Sequence, residues 1–197
     1  EEILQQFDSL LSLDLNNISV SNFVRLLLGK VSVGYTKLEN LFATLPENPS
    51  LKDLSPLVYL TYFIKEVSRF YPPANDIFPK FSPVHIKIGE FVFPKNTYFG
   101  IGIKTIMNDP EVFISPLIQT LAMEFANINT YSYLTFSAGP RSCIGEQLAM
   151  LEIKLIIIGF VRKFRLDLNP EVPMRMLQFT LNTCIDDRLV IPRLKRQ

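Results

Sequence analysis

The most informative segment of this chain reads FSAGPRSCIG and spans residues 136–145. It places Cys143 between two glycines, and a helical pattern follows over residues 147–155. Because the first amides of a helix lack partners within it, we expect them to point toward the sulfur and stabilise its anion. Gly145 has no side chain that would hold a flat ligand away from the sulfur. The segment therefore predicts a thiolate that is offered to a metal.

Two other side chains of this segment suit a cofactor that carries acidic groups. Arg141 places a permanent cation two residues before the cysteine. Such a cation suits an acidic substituent, for example a porphyrin propionate, better than it suits a metal. Phe136 adds an aromatic face at the start of the segment. The alternative is that Cys143 is buried as a small apolar side chain, but the complete pattern favours a metal ligand.

A second informative segment, SPLVYLTYFIKEVSRFYPP, lies upstream at residues 55–73 and predicts one helix. Ser55 is a favoured N-cap, Pro56 is a favoured first residue, and two prolines end the run. Glu66 lies on a face that is rich in aromatic residues, where a carboxylate is costly unless it is paired. Arg69, three residues later, is within reach. The alternative is a solvated surface pair, which the apolar neighbours argue against.

These patterns resemble a known family. Phe-x-x-Gly-x-Arg-x-Cys-x-Gly is similar to the heme-binding signature of the cytochrome P450 family, and Glu-x-x-Arg followed by x-x-Pro-Pro is similar to its K-helix motif. Residues 88–97 resemble a hairpin of that family, and residues 108–113 resemble its Asp-Pro-x-x-Phe turn. Residues 178–185 and 188–194 predict two strands, and the family ends in such a hairpin.

The resemblance implies a mainly α fold with small β-sheets, the C-terminal part of the cytochrome P450 fold. We expect residues 1–197 to form a single partial domain, because family members are commonly more than twice this length. Residues 1–34 would be a remnant of the central helix on the distal side of the heme. Residues 35–197 would run from the K-helix through the cysteine loop and its helix to the C-terminal hairpin.

For the site, the resemblance implies heme b (iron protoporphyrin IX) with Cys143 as the axial ligand of its iron. The cofactor-binding residues that it implies are Phe136, Gly139, Arg141, Cys143, Gly145 and Lys80. Glu66 and Arg69 would form a structural pair. Asn16 and Asn17 would occupy the catalytic position on the distal helix, where the family usually has an acid and an alcohol.

The chain also departs from the family pattern at three places. Asn16 and Asn17 can form hydrogen bonds, but an amide is a poorer proton relay than an alcohol. Residues 121–125 replace the family's Pro-Glu-Arg-Phe, so the third member of the Glu–Arg triad is missing. The family has a basic residue shortly after the two prolines, and here Lys80 stands in its place further along the chain. The ammonium group of Lys80 is a point charge and cannot reproduce the planar set of donors of a guanidinium. These changes predict a looser heme cradle in which the iron ligand is kept.

The function implied is that of a heme-thiolate monooxygenase, which inserts oxygen from O2 into a lipophilic organic substrate. Its electrons would come from an acidic flavoprotein reductase or another donor, and positive charge on and after the cysteine helix would suit such a surface. The basic residues there are Lys154, Arg162, Lys163 and Arg165. A solvated helix face is the alternative for them. Two other functions remain open: a non-catalytic heme-binding remnant, and a heme-thiolate isomerase or peroxygenase.

The charge balance and the numbers of cysteines and histidines narrow the possible partners and metal sites. The net charge of +1, from 20 basic and 19 acidic residues, gives no reason to expect a nucleic acid partner. Two cysteines and His85 cannot supply a four-ligand zinc site without carboxylates, and they do not suggest a disulfide framework. A single bridge between Cys143 and Cys184 would be incompatible with the heme ligand. We interpret His85 as an ordinary strand residue.

The sequence contains no apolar run long enough to cross a bilayer, and its first residue, Glu1, does not open a signal-like segment. By resemblance, we expect membrane association through an N-terminal region that is absent from these 197 residues. The endoplasmic reticulum would be the compartment if the source is eukaryotic.

Overall fold

The computed structural model describes residues 36–113, 128–168, 176–178, 182–184 and 190–194. Five α-helices lie in these ranges: α1 (36–43), α2 (Leu51–Leu54), α3 (Val58–Phe70), α4 (Ile103–Met107) and α5 (Glu146–Lys163). A short 3-10 helix spans Thr130–Ser132.

Eight short strands form four separate antiparallel pairs within the described ranges. The strands are β1 (Asp76–Phe81), β2 (Ile86–Ile88), β3 (Phe91–Phe93), β4 (Tyr98–Gly102), β5 (Phe164–Leu168), β6 (Met176–Gln178), β7 (Asn182–Cys184) and β8 (Val190–Leu194). The pairs are β1 with β4, β2 with β3, β5 with β8, and β6 with β7. The predicted fold class, mainly α with small β-sheets, is confirmed.

The main core lies where α1, α3 and α5 meet. Its buried residues are Leu38, Phe42, Leu54, Leu57, Leu60, Phe63, Ile64, Val67, Ile157, Ile158 and Val161. Full burial of each such side chain stabilises the fold by about 1.5–3 kcal/mol. A second cluster of Ile103, Met107 and Leu134 lies beside Tyr133 and Ala138, and so joins α4 to the segment before the cysteine. The two cores hold the cysteine loop and the Glu66 helix in one body.

The start of α3 differs from the prediction. Ser55 is not its N-cap, because residues 51–54 form the separate helix α2 and Ser55 is the C-cap of that helix. The hydroxyl of Ser55 donates to the carbonyl of Leu51 (3.0 Å). Helix α3 begins at Val58, after Leu57, and ends at Phe70, just before the two prolines, as predicted.

The segment between α3 and the cysteine contains the expected hairpin and turn. Strands β2 and β3 pair around Gly89, whose φ of 58° is the left-handed conformation that glycine adopts without strain. In the turn at residues 108–113, the amides of Val112 and Phe113 both donate to the carbonyl of Asp109. The prediction for His85 was wrong by one residue, because it lies exposed just before β2.

The pairing of the last strands corrects the predicted terminal hairpin. Among the described residues of the two predicted strands, β7 pairs with β6, and β8 pairs with β5, the strand that directly follows α5. The partner of β7 is the strand just upstream of it, Met176–Gln178, and the two strands are antiparallel. Strand β8 then returns to the end of the cysteine helix.

Candidate cofactor site at Cys143

Main-chain hydrogen bonds shape the segment that carries Cys143. The amide of Cys143 donates to the carbonyl of Phe136 (2.8 Å), and the amide of Ser142 donates to the carbonyl of Gly139 (3.0 Å). These two bonds close a tight loop over residues 136–143. Gly139 has a φ of 81°, which an L side chain would adopt only with strain. The second residue of the loop, Ser137, also has a positive φ, 64°.

The Cys143 side chain is exposed and is a free thiol. Gly145 is its nearest glycine: a Cβ built there would lie 3.7 Å from the sulfur, an ordinary contact distance. The backbone of Gly145 is not in the left-handed region, so neither its conformation nor the sulfur demands a glycine. A ligand that approaches the backbone closely beside the sulfur would account for a glycine at this position.

The predicted amide donors to the sulfur are not formed among the described residues. Helix α5 begins at Glu146, three residues after the cysteine, with the amide of Glu146 directed at the carbonyl of Cys143 (3.5 Å). The amide of Ala149 donates to the carbonyl of Gly145 (2.9 Å). Helix α5 therefore starts one residue earlier than the pattern over residues 147–155 indicated, and these two amides are directed at carbonyls instead of the sulfur.

Glu66 and Arg69 lie on α3 and form a buried, two-point ion pair. The Nε and Nη2 atoms of Arg69 donate to Oε2 and Oε1 of Glu66 at 2.8 and 2.9 Å. Both side chains are 4% exposed. A planar guanidinium matches both carboxylate oxygens at once, so neither charge is left unpaired in the core.

The environment of Arg69 supplies more than the carboxylate. Its Nη1 donates to the carbonyl of Met107 (2.7 Å), and its guanidinium lies 4.0 Å from the ring centre of Phe70 and 4.6 Å from that of Phe113. Aromatic faces stabilise a desolvated cation. The third partner expected from residues 121–125 lies outside the described residues. A main-chain carbonyl and two aromatic rings therefore contact Arg69. The sequence had indicated only that the third member of the Glu–Arg triad is missing.

Comparisons with known proteins bear on this arrangement. The profile of the family described as Cytochrome P450 matches residues 39–186, which is most of the chain. The chain belongs to the cytochrome P450 family. Cytochrome P450 4d2 of Drosophila melanogaster is 37% identical over 126 residues, which cover 62% of this chain and 25% of that protein.

Two mammalian relatives give similar figures. Cytochrome P450 4B1 of Homo sapiens is 33% identical over 139 residues, or 66% of this chain and 27% of the relative. The steroid 17-alpha-hydroxylase/17,20 lyase of Rattus norvegicus is 33% identical over 141 residues, again 66% and 27%. The matched segment therefore spans about a quarter of the length of these curated relatives.

Membership of the cytochrome P450 family implies a heme cofactor, and the residues around Cys143 fit one. The thiol is free, the neighbouring Gly145 leaves its backbone open to a flat ligand, and Arg141 is exposed. Ile144 is 104% exposed and Leu148 is 61% exposed, which places apolar surface close to the cysteine along the chain.

Lys80, Asn16 and Asn17 are further residues that the cytochrome P450 pattern had suggested. Lys80 is exposed on β1, opposite Phe99 and after an irregularity in the register, and no described residue of the cysteine loop contacts it through an ion pair or hydrogen bond. Asn16 and Asn17 lie outside the described residues.

Two of the basic residues expected on a reductase surface are instead tied to the fold. The Nζ of Lys154 donates to the carbonyl of Leu54 (3.2 Å), and burial lowers the pKa of this lysine. Arg162 donates to four main-chain carbonyls between residues 42 and 47. Both side chains are therefore hydrogen-bonded within the fold, which the sequence pattern did not indicate. The structure gives Lys163 as exposed.

Sequence reasoning missed Met107 and Tyr133, which connect α3 to the cysteine loop. The hydroxyl of Tyr133 donates to the carbonyl of Lys65 (3.3 Å), and burial raises the pKa of this phenol. Tyr133 carried a weak signal as an aromatic residue just upstream of the cysteine motif. Met107 carried none, because it accepts hydrogen bonds through its own main-chain carbonyl and its thioether, and no sequence pattern marks either acceptor.

Two features are absent from the described part of the chain. Among those residues, no helix is both long and apolar enough to span a membrane. The same residues contain no group of three or more His, Cys, Asp or Glu side chains that could hold a metal ion.

Proposed function

We propose that this chain is the heme-thiolate part of a cytochrome P450 monooxygenase, with Cys143 as the axial ligand of the iron of heme b. The observation that carries the proposal is the free, exposed thiol of Cys143 in a hydrogen-bonded loop, next to a glycine that the fold itself does not require. Family membership supports it independently.

Each part of the loop has a role in this proposal. The bond from the amide of Cys143 to the carbonyl of Phe136 orients the cysteine, and Gly139 permits the turn that brings the two together. Gly145 leaves room for a porphyrin beside the sulfur, and Arg141 pairs with a propionate. When bound, the heme supplies the activation of O2, which a thiolate ligand promotes by donating electron density.

The substrate in this proposal is a lipophilic organic molecule, and the electrons come from a flavoprotein reductase or an equivalent donor. The printed name of the rat relative specifies a steroid hydroxylase, and a steroid is such a molecule. Membrane association at the endoplasmic reticulum, through a region outside these residues, belongs to the same proposal.

The decisive experiment is the ferrous carbonyl difference spectrum of the full-length protein. We expect the red-shifted Soret band of thiolate ligation, and we expect Cys143→Ala to abolish it because no sulfur anion then reaches the iron. Cys184→Ala, the same change at the other cysteine, is the matched control and should keep the band. An unshifted band in the unmutated protein would show that Cys143 is not the ligand.

Turnover in 18O2 separates the monooxygenase from the other heme-thiolate functions. One labelled oxygen atom in the product, dependent on a reductase and a reduced nicotinamide cofactor, is expected. Unlabelled product formed without a reductase would point to an isomerase or a peroxygenase. A red-shifted band without turnover of any lipophilic substrate would point to a non-catalytic heme-binding remnant.

A further inference from the structure

Met107 is the last residue of α4 and is fully buried, at 0% exposure. Its carbonyl accepts from Nη1 of Arg69 (2.7 Å). Its sulfur accepts from the amide of Leu134 (3.2 Å) and from the hydroxyl of Thr135 (3.6 Å). One residue thus contacts the buried ion pair through its main chain and the segment before the cysteine through its side chain.

The hydrogen bonds continue from Leu134 to the cysteine. The carbonyl of Leu134 accepts from the amide of Ser137 (2.9 Å), and the carbonyl of Phe136 accepts from the amide of Cys143 (2.8 Å). Leu134 is 5% exposed, so its amide has little access to water. A buried amide without a partner costs about 1–3 kcal/mol, which gives the thioether a definite role although sulfur is a weak acceptor.

We propose that Met107 is a positioning residue for the heme ligand. Its sulfur fixes Leu134 and Thr135, and so sets the main chain that presents Cys143 to the cofactor and ties it to the Glu66–Arg69 pair. The inference rests on the proposed function for its meaning, but its structural part stands on contacts within the chain alone. No group other than this sulfur meets the Leu134 amide among the described residues.

The test replaces Met107 with leucine, which keeps a similar apolar volume and removes the acceptor. Met150→Leu is the matched control, because Met150 is partly buried against the main core and its sulfur accepts no hydrogen bond from a described residue. The full-length protein is measured in two ways: hydrogen exchange at Leu134 and through the loop, and the ratio of red-shifted to unshifted carbonyl complex.

We expect Met107→Leu to speed exchange of the Leu134 amide by roughly three- to tenfold, the factor for losing one modest hydrogen bond. We also expect it to raise the fraction of unshifted carbonyl complex at least twofold, because the cysteine main chain is then less well held. Met150→Leu should change neither quantity. Equal behaviour of the two variants would overturn the inference.

Thr135→Val keeps the test decisive if Met107→Leu does not fold. This change removes the second donor to the sulfur, and we expect it to raise the unshifted fraction, whereas Thr135→Ser, which keeps the hydroxyl, should not. Equal behaviour of these two variants would overturn the inference. If the unmutated protein lacks the red-shifted band, the proposed function fails. If the band is normal and exchange at Leu134 does not depend on Met107, only this inference fails.

Discussion

At the scale of single residues, the site combines an exposed thiol with a buried ion pair whose desolvation costs free energy. Cys143 is exposed, whereas Glu66 and Arg69 lie on the buried face of α3. Burying two charges is expensive, and their mutual attraction offsets that cost only when the geometry is good and the remaining donors are satisfied. Here the two-point contact, the carbonyl of Met107 and two aromatic faces meet that condition.

Removing one partner of this pair should therefore be severe. We expect Glu66→Ala to lower the free energy of unfolding by about 3–5 kcal/mol, because it leaves the Arg69 guanidinium desolvated without a counter-charge. Urea unfolding and heme content measure the effect. Glu152→Ala, at an exposed position of α5, should change stability by less than about 0.5 kcal/mol. Equal stability of the two variants would contradict a structural role for the pair.

At the scale of elements, the sequence predicted the helices better than it predicted their ends and partners. The apolar periodicity and the prolines located α3, and the pattern after Cys143 located α5. The start of α3 was wrong because serines at positions 50 and 55 both offer cap signals, and α2 occupies the residues between them. Alternation showed that strands exist near the C-terminus, but it carries no information on which strand pairs with which.

The candidate site divides in the same way. Cys143, Glu66 and Arg69 stand in patterns with fixed spacing, so the sequence could point to them. Met107 could not be found, because a carbonyl acceptor is common to all residues and a thioether acceptor has no sequence pattern. The tertiary use of Arg162 was equally hidden, because it depends on where α1 ends relative to α5.

Arg162 fixes the end of α5 against the end of α1. Its Nη2 donates to the carbonyls of Phe42, Leu45 and Pro46 at 3.2, 2.9 and 2.8 Å, and its Nη1 donates to Glu47 at 2.9 Å. We expect Arg162→Lys to lower the unfolding free energy by about 1.5–3 kcal/mol, since a lysine keeps the charge but cannot span these acceptors. Thermal or urea unfolding tests this, and an unchanged midpoint would show that charge alone matters.

At the scale of the whole molecule, the two hydrophobic cores and the cysteine loop are connected by direct contacts. The main core packs α3 on α5, and the second core packs α4 beside Tyr133 and Leu134. Tyr133 packs against the second core, and its hydroxyl donates to the carbonyl of Lys65 on α3, so it links the two cores. Global stability should therefore respond to the protonation of this one phenol.

Burial raises the pKa of Tyr133 above its ordinary value of 10.0. Above about pH 10 the unfolded chain loses the phenol proton while the folded chain keeps it, so stability falls as the pH rises; below pH 10 the two states bind the proton equally. We expect Tyr133→Phe to reduce the slope of unfolding free energy against pH by about 1.4 kcal/mol per unit above pH 10. Urea unfolding between pH 8 and 11 measures that slope.

Tyr131→Phe is the control for this measurement, because Tyr131 is 64% exposed and loses the same hydroxyl. Its slope should match that of the unmutated protein. A Tyr133→Phe variant with the unmutated slope would mean that the phenol does not couple to unfolding.

The open position of Cys143 has a consequence for handling the protein. A solvent-accessible thiol can be converted by peroxide to sulfenic and then to sulfinic acid, and the later stages are not reversed by ordinary reductants. Sulfur in those states no longer binds iron as a thiolate. The history of a sample before it meets heme, including its contact with air and the presence of a reducing agent, will therefore set how much of it can ever be loaded.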